Sequence, residues 1–292
     1  MTLELGILLA LFCALVTNLG FLFKHRGACA APDVEWRHPF KSAVGLWSSK
    51  WFAIGMFVAI GAWVLHVGAM AMAPLSIVQS VISGGLVFLT VLAERFFGFK
   101  VGKRQWIGVG LMAVGLALLT VVLPASGGAH SGYSQAAMIA FESGLLVVGT
   151  LLVLSPQFGA RHEHHGVLLG SAAGLLFGVS DVSIKALTGL IGAHGILGVV
   201  SPWLGVTILA SVIAFYASAR GLQTGEAVPV ITLTSAAANI SAIGGGILVF
   251  GDPMPTHPLG IALQSLAFLL VIVAAAVTPA PVRAAQQAPA TA

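Results

Sequence analysis

The sequence predicts an all-α integral membrane protein of about nine transmembrane helices, built as two inverted four-helix repeats joined by a central helix. Three observations carry that expectation. Of the 292 residues, 58% are hydrophobic and 8% charged, where soluble domains carry about a quarter charged, so a water-soluble fold could not cover the apolar surface. The hydrophobic residues fall in runs close to 20 long, the length at which about 1.5 Å of rise per residue crosses a hydrocarbon core of about 30 Å. The inward and outward alternation of a lipid-facing barrel is missing, which leaves helices to satisfy the backbone inside a bilayer. The distribution of basic residues, taken up below, adds the orientation.

In chain order the segments lie near residues 3–23, 51–72, 74–94, 104–123, 134–154, 167–187, 203–219, 227–250 and 258–278. The first has no basic residue ahead of it and is followed by Lys24 and Arg26, the layout of a retained anchor rather than a cleaved signal peptide. The third and eighth open near prolines, Pro74 and Pro229, and close on acids, Glu94 in LAERFFG and Asp252 in FGDPMP. After Thr278 the Ala, Pro and Gln-rich tail is too polar to pack and is expected to be disordered. The domain reading is a first repeat over 1–123, a linking helix over 124–160, a second repeat over 161–279 and a tail over 280–292.

Basic residues in short loops near helix ends stay on the cytoplasmic side. With the N-terminus outside, twelve of the 13 Lys and Arg residues fall on cytoplasmic loops or the tail, and only Lys185 lies elsewhere. The expected location is therefore the cell membrane, multi-pass, with the C-terminus cytoplasmic. The basic residues are scattered along membrane-flanking loops rather than gathered on one face, so the net charge of +4 reflects topology and no nucleic-acid partner is expected. Cys13 within the first segment and Cys29 in a loop form no structural bridge in a reducing compartment.

An internal repeat appears when the first segment is laid over the sixth. Gly6, Ala10, Ala14 and Asn18 recur every four residues, as do Gly166, Gly170, Gly174 and Gly178. Small residues at this spacing let a second helix approach closely, the main route to tight packing in lipid. Each stripe runs toward a lysine, Lys24 or Lys185, and the fourth and ninth segments share Gly108 with Gly260 and Leu111 with Leu263. With one segment between two sets of four, the halves cross the membrane in opposite senses. Inverted repeats of this kind give secondary transporters two mirror-related conformations around a midplane site.

The stretches NLGFLFKHRG closing the first segment, WSSKWFAIGMF opening the second, APLSIVQSV through LAERFFG in the third, and RGLQTGEAVPVITLTS leading into the eighth resemble the drug/metabolite transporter superfamily with its EamA-type repeats. Within it the nine-segment count is similar to the NIPA-type magnesium transporters. The resemblance covers nearly the whole membrane region. It implies transport by alternating access, with the first, third, eighth and ninth helices lining a central cavity, and it leaves the substrate open among metabolites, drugs, lipid-linked sugars and ions.

Ionisable groups inside the membrane cost at least about 2.5 kcal/mol each and are rarely kept without use. His66, Glu142, Asp181 and Lys185 are the candidates for proton or ion coupling. The bland readings are an i, i+4 pair of Asp181 with Lys185 that neutralises itself, a His66 hydrogen-bonded between helices, and an exposed Glu142 on a peripheral helix. Asn18, Gln79, Ser80, Ser83, Asn239, Ser241 and Gln264 are the uncharged candidates for a cavity lining, since amides and hydroxyls both donate and accept; the alternative for each is interhelical packing glue. A hard cation bound directly wants several carboxylates together, which places magnesium below an unspecified small solute.

The RHEHHG stretch at 161–166 offers His162, His164 and His165 as weak metal ligands, against a solvated linker. No GxSxG, HExxH, Walker loop or CxxC occurs, so neither an enzyme nor a cofactor is expected. The expected partners are the lipid bilayer and a small-molecule or cation substrate. Tight helix packing serves assembly as well as transport, which keeps a homodimer and a non-transporting assembly subunit as alternatives.

Overall fold

A computed structural model describes residues 2–28, 31–32, 38–85, 99–100, 103–122, 130–159, 164–224, 227–277 and 282–283. The architecture is helical. Its α-helices are α1 (Thr2–Ala28), α2 (Pro39–Trp47), α3 (Lys50–Met72), α4 (Leu75–Ser83), α5 (Lys103–Val122), α6 (Gln135–Val153), α7 (His165–His194), α8 (Pro202–Thr224), α9 (Ala227–Leu248) and α10 (Pro258–Val277). A two-residue antiparallel pair joins Phe99–Lys100 to Val282–Arg283. All segments read from the hydrophobic runs coincide with helices, the third followed only through α4, since 86–98 lies outside the described residues. The short α2 falls in a stretch read as loop.

Among the described residues five helical stretches are long and apolar enough to cross a membrane: Leu3–Gly20, Lys50–Met72, Gln135–Val153, His165–Val199 and Pro202–Thr224. Shorter apolar stretches lie at Trp106–Gly115, Leu233–Leu248 and Pro258–Val271. Large apolar side chains such as Phe12, Phe57, Trp63, Leu209 and Leu269 point outward. Such a surface suits lipid, where burial of apolar side chains gives no drive to associate and helices hold together by close packing and polar contacts.

The packing has a regular pattern. Helix α1 lies against α3 and α4, while α7 lies against α8 and α9; α4 crosses α9, α5 packs on α10, and α6 covers a flank of α7. Small residues set these distances. A β-carbon on Gly174 would stand 2.3 Å from the Thr234 carbonyl oxygen, and one on Gly178 would stand 2.2 Å from Ser241 Cβ. The α1 stripe works similarly, since a β-carbon on Gly85 would meet Ala14 Cβ at 2.7 Å.

Two corners position the polar groups. Helix α3 stops because Ala73 is extended (φ −135°, ψ 158°) ahead of Pro74, as the proline ring demands of its predecessor, and α4 begins at once on Leu75. Beyond α9, Gly251 takes φ +61°, a left-handed turn that glycine enters without steric cost. That turn brings Asp252 back over the start of α4.

Candidate functional site

The buried polar groups gather in three places. At the centre of the bundle, Gln79 of α4 donates from Nε2 to Asn239 Oδ1 of α9 at 2.8 Å. Both residues are buried. Gln79 Oε1 finds no hydrogen-bond partner among the described residues, and neither does Ser241 Oγ, which lies two residues on from Asn239 along α9 and is turned toward Gly178 of α7. Asn18 of α1 donates to the carbonyls of Ala14 (2.7 Å) and Gly85 (2.9 Å), tying α1 to the end of α4. Ser80 and Ser83 bond back to the carbonyls of Ser76 and Gln79 on their own helix, which satisfies them locally. Gln264 of α10 donates to the Pro253 carbonyl at 3.1 Å and keeps a buried Oε1 without a described partner.

The second place is the corner between α3 and α4. Lys185, fully buried on α7, donates from Nζ to the Met70 carbonyl at 2.7 Å and the Ala73 carbonyl at 2.8 Å. The Met70 carbonyl belongs to the last turn of α3, where the negative end of the helix dipole lies, and Ala73 is the extended residue just beyond it. Asp252 Oδ2 accepts the Ser76 backbone N–H at 2.7 Å, at the positive first turn of α4. Sequence spacing suggested an Asp181–Lys185 neutralisation; the Lys185 ammonium is instead turned onto α3.

The third place is α7 itself, which meets α3 on one side and α6 on the other. His66 Nδ1 of α3 stands 3.8 Å from Asp181 Oδ1 of α7, each side chain 14% exposed. This separation lies within ion-pair range and is too long for a hydrogen bond. His66 Nε2 is buried and without a described hydrogen-bond partner. Two residues further along α7, and so on its other side, Ser183 Oγ donates to Glu142 Oε1 of α6 at 2.6 Å. Glu142 is buried rather than exposed, and its Oε2 has no described partner. The peripheral position of α6 therefore does not put its carboxyl in lipid.

The candidate residues thus divide. Gln79 and Asn239 touch, His66 and Asp181 touch, and Glu142 of α6 meets α7 separately, through Ser183. Sequence reasoning had no means of finding Met70 and Ala73 as ligands of Lys185, because they act through backbone carbonyls. Of the histidine stretch, His162 lies outside the described residues, His164 is exposed and His165 half-buried. Among the described residues no three His, Cys, Asp or Glu side chains come together in a metal-binding group.

No family model matches the chain, and no solved structure matches it. Curated proteins do. "Probable magnesium transporter NIPA9" of Arabidopsis thaliana is 24% identical over 281 residues, covering 91% of this chain and 79% of that protein. An uncharacterized protein of Corynebacterium glutamicum is 26% identical over 271 residues, 92% of each chain. "Probable 4-amino-4-deoxy-L-arabinose-phosphoundecaprenol flippase subunit ArnE" of Yersinia pestis is 29% identical over 114 residues, 39% of this chain and 94% of its own length. Similarity to a named transporter and a named flippase subunit, with the apolar helices, supports a multi-pass membrane transporter, and it bears out the resemblance to the drug/metabolite transporter superfamily and its NIPA-like branch.

Proposed function

We propose that the chain is a secondary transporter that moves a small solute by alternating access between two inverted halves. The observation that carries this reading is the crossing of α4 and α9, where Gln79 meets Asn239 and Gln79 Oε1 remains a buried acceptor without a described partner. In transporters of inverted repeats the solute site lies at the repeat interface near the midplane, and these are the third helices of the two halves.

Equivalent contacts support the repeat. Ala14 and Asn18 approach Gly85 on the first side, and Gly174 and Gly178 approach Thr234 and Ser241 on the second. The ArnE alignment supports it too, since 39% of this chain, the size of one half, covers 94% of that subunit. Four helices, one linker and four more would invert the second half, with the N-terminus outside, the tail cytoplasmic and the cell membrane as location. His66 with Asp181, and Glu142 with Ser183, are the groups assigned to coupling by protonation. No catalytic role is assigned to any residue.

The test is flux into proteoliposomes holding the purified protein alone, across a panel of metabolites, amines and cations under an imposed pH gradient. Solute-specific uptake is expected. Its absence for every solute would favour an assembly subunit. Magnesium is the second reading, favoured by the name of the Arabidopsis relative; failure to restore low-magnesium growth to a strain without its own uptake systems, despite good expression, would count against it.

A further inference from the structure

We infer that α2 is an interfacial helix that beds into one leaflet and gathers anionic phospholipid at the basic end of the bundle. Its sequence, PFKSAVGLW, spans nine residues, about 13.5 Å at 1.5 Å per residue, less than half of a hydrocarbon core. It cannot cross. Phe40, Val44 and Trp47 recur at i, i+4 and i+7 and so share one face; they are 87%, 71% and 41% exposed. Ser42 and Leu46 are buried on the other side, Leu46 within a cluster with Ala28, Phe52 and Ala219.

The helix is fastened at membrane depth. Tyr216 donates its hydroxyl to the Pro39 carbonyl at 2.8 Å, and Gln223 Nε2 donates to the Pro32 carbonyl at 3.1 Å. Tyr216 lies about two turns inside the end of α8, so the start of α2 is held inside that end. Trp47 meets Phe57 edge to face, centroids 5.9 Å apart, and Phe57 is itself 67% exposed on α3. The apolar face of α2 therefore runs on into the flank of a spanning helix. That continuity identifies lipid as the occupant.

Charge identifies the lipid. Lys41 and Lys50 are exposed, and Arg26 lies over the Trp51 ring at 4.1 Å. The stretch 24–50 holds five Lys or Arg residues and two acids, Asp33 and Glu35. An amphipathic helix with aromatic residues on one side and basic residues beside it lies at the headgroup boundary and attracts anionic headgroups.

The test uses the full-length protein in nanodiscs, with Cys13→Ala and Cys29→Ser and a nitroxide on Phe40→Cys or Val44→Cys. Both labels should collide with oxygen in preference to an aqueous nickel reagent; equal or greater nickel access at both would overturn the interfacial seat. Spin-labelled phosphatidylglycerol should be enriched over phosphatidylcholine in the restricted lipid shell, and Lys41→Gln/Lys50→Gln should bring that ratio to unity. An unchanged ratio in the double variant, or none in the parent, would overturn the anionic preference.

Discussion

Lys185 and Asp252 hold opposite ends of one corner: the ammonium sits on the carbonyls of Met70, in the last turn of α3, and Ala73, just beyond it, and the Asp252 carboxyl takes the Ser76 N–H in the first turn of α4, with only Ala73 and Pro74 between the helices. Each charge lies at the helix end whose dipole favours it. Both come from the second half of the chain, so the corner of the first half is shaped by residues more than 100 positions away.

Hydrogen bonds from a charged donor contribute about 1.5–3 kcal/mol each. Lys185→Met, which keeps the length and loses the donors, should therefore destabilise the protein by about 3 kcal/mol. Asp252→Asn keeps an acceptor and should cost about 1 kcal/mol. Because both act on one corner, the double variant should depart from additivity by at least about 0.5 kcal/mol. Reversible unfolding in mixed micelles measures all three, and additive losses would mean that the two ends are held independently.

The α7–α9 seam gives a sharper test. Gly178→Ala would drive its new methyl into Ser241 Cβ, and Ser241→Gly in the same chain should relieve it. Gly174→Ala meets the Thr234 carbonyl oxygen, a backbone atom that no substitution removes. The first variant should recover monodisperse expression with its partner change, and the second should not recover with Thr234→Gly. Gly61→Ala, with nothing within 4 Å, should be neutral or stabilising by up to about 1 kcal/mol.

Helix positions were legible because a span must be apolar over its whole length, and among the described residues each such run coincides with a helix, the third as far as Ser83. The small-residue stripes were legible for a related reason, since a seam held at backbone distance admits only small side chains. The nine residues of α2 escaped because Lys41 and Ser42 interrupt a run already too short to count as a span. Lys185 was marked as an exception to the charge rule, yet its partners Met70 and Ala73 are apolar residues that contribute only carbonyls. No residue-type pattern reveals that. His66 and Asp181 were each singled out, but their meeting depends on how α3 lies beside α7, which no local spacing encodes.

If His66 and Asp181 act as one coupling unit, Asp181→Asn and His66→Gln should each abolish the dependence of uptake on an imposed pH gradient, and the double variant should be no worse than the more severe single. Glu142→Gln should also remove gradient dependence while the protein stays folded. Uptake assays at matched protein levels read this directly. Unchanged gradient dependence in Asp181→Asn and Glu142→Gln would exclude proton coupling through these acids.

The Gln79–Asn239 contact predicts a loss of transport larger than the loss of stability. Removing one neutral hydrogen bond costs about 1 kcal/mol, so Asn239→Ala should unfold only slightly earlier, while apparent affinity for the solute falls by tenfold or more. Gln79→Glu, which keeps the shape and changes the charge, should shift preference toward cations. Competition by a solute panel separates this from a general packing defect.

The brevity of the α3–α4 link has a mechanical meaning. Two residues, one of them a proline ring, leave almost no slack, so the helices behave as the arms of a bell crank with its pivot gripped by α7. Under the proposed alternating-access cycle, a tilt of α7 would pass through this joint as a swing of α4 against α9, with backbone geometry setting the ratio between the two.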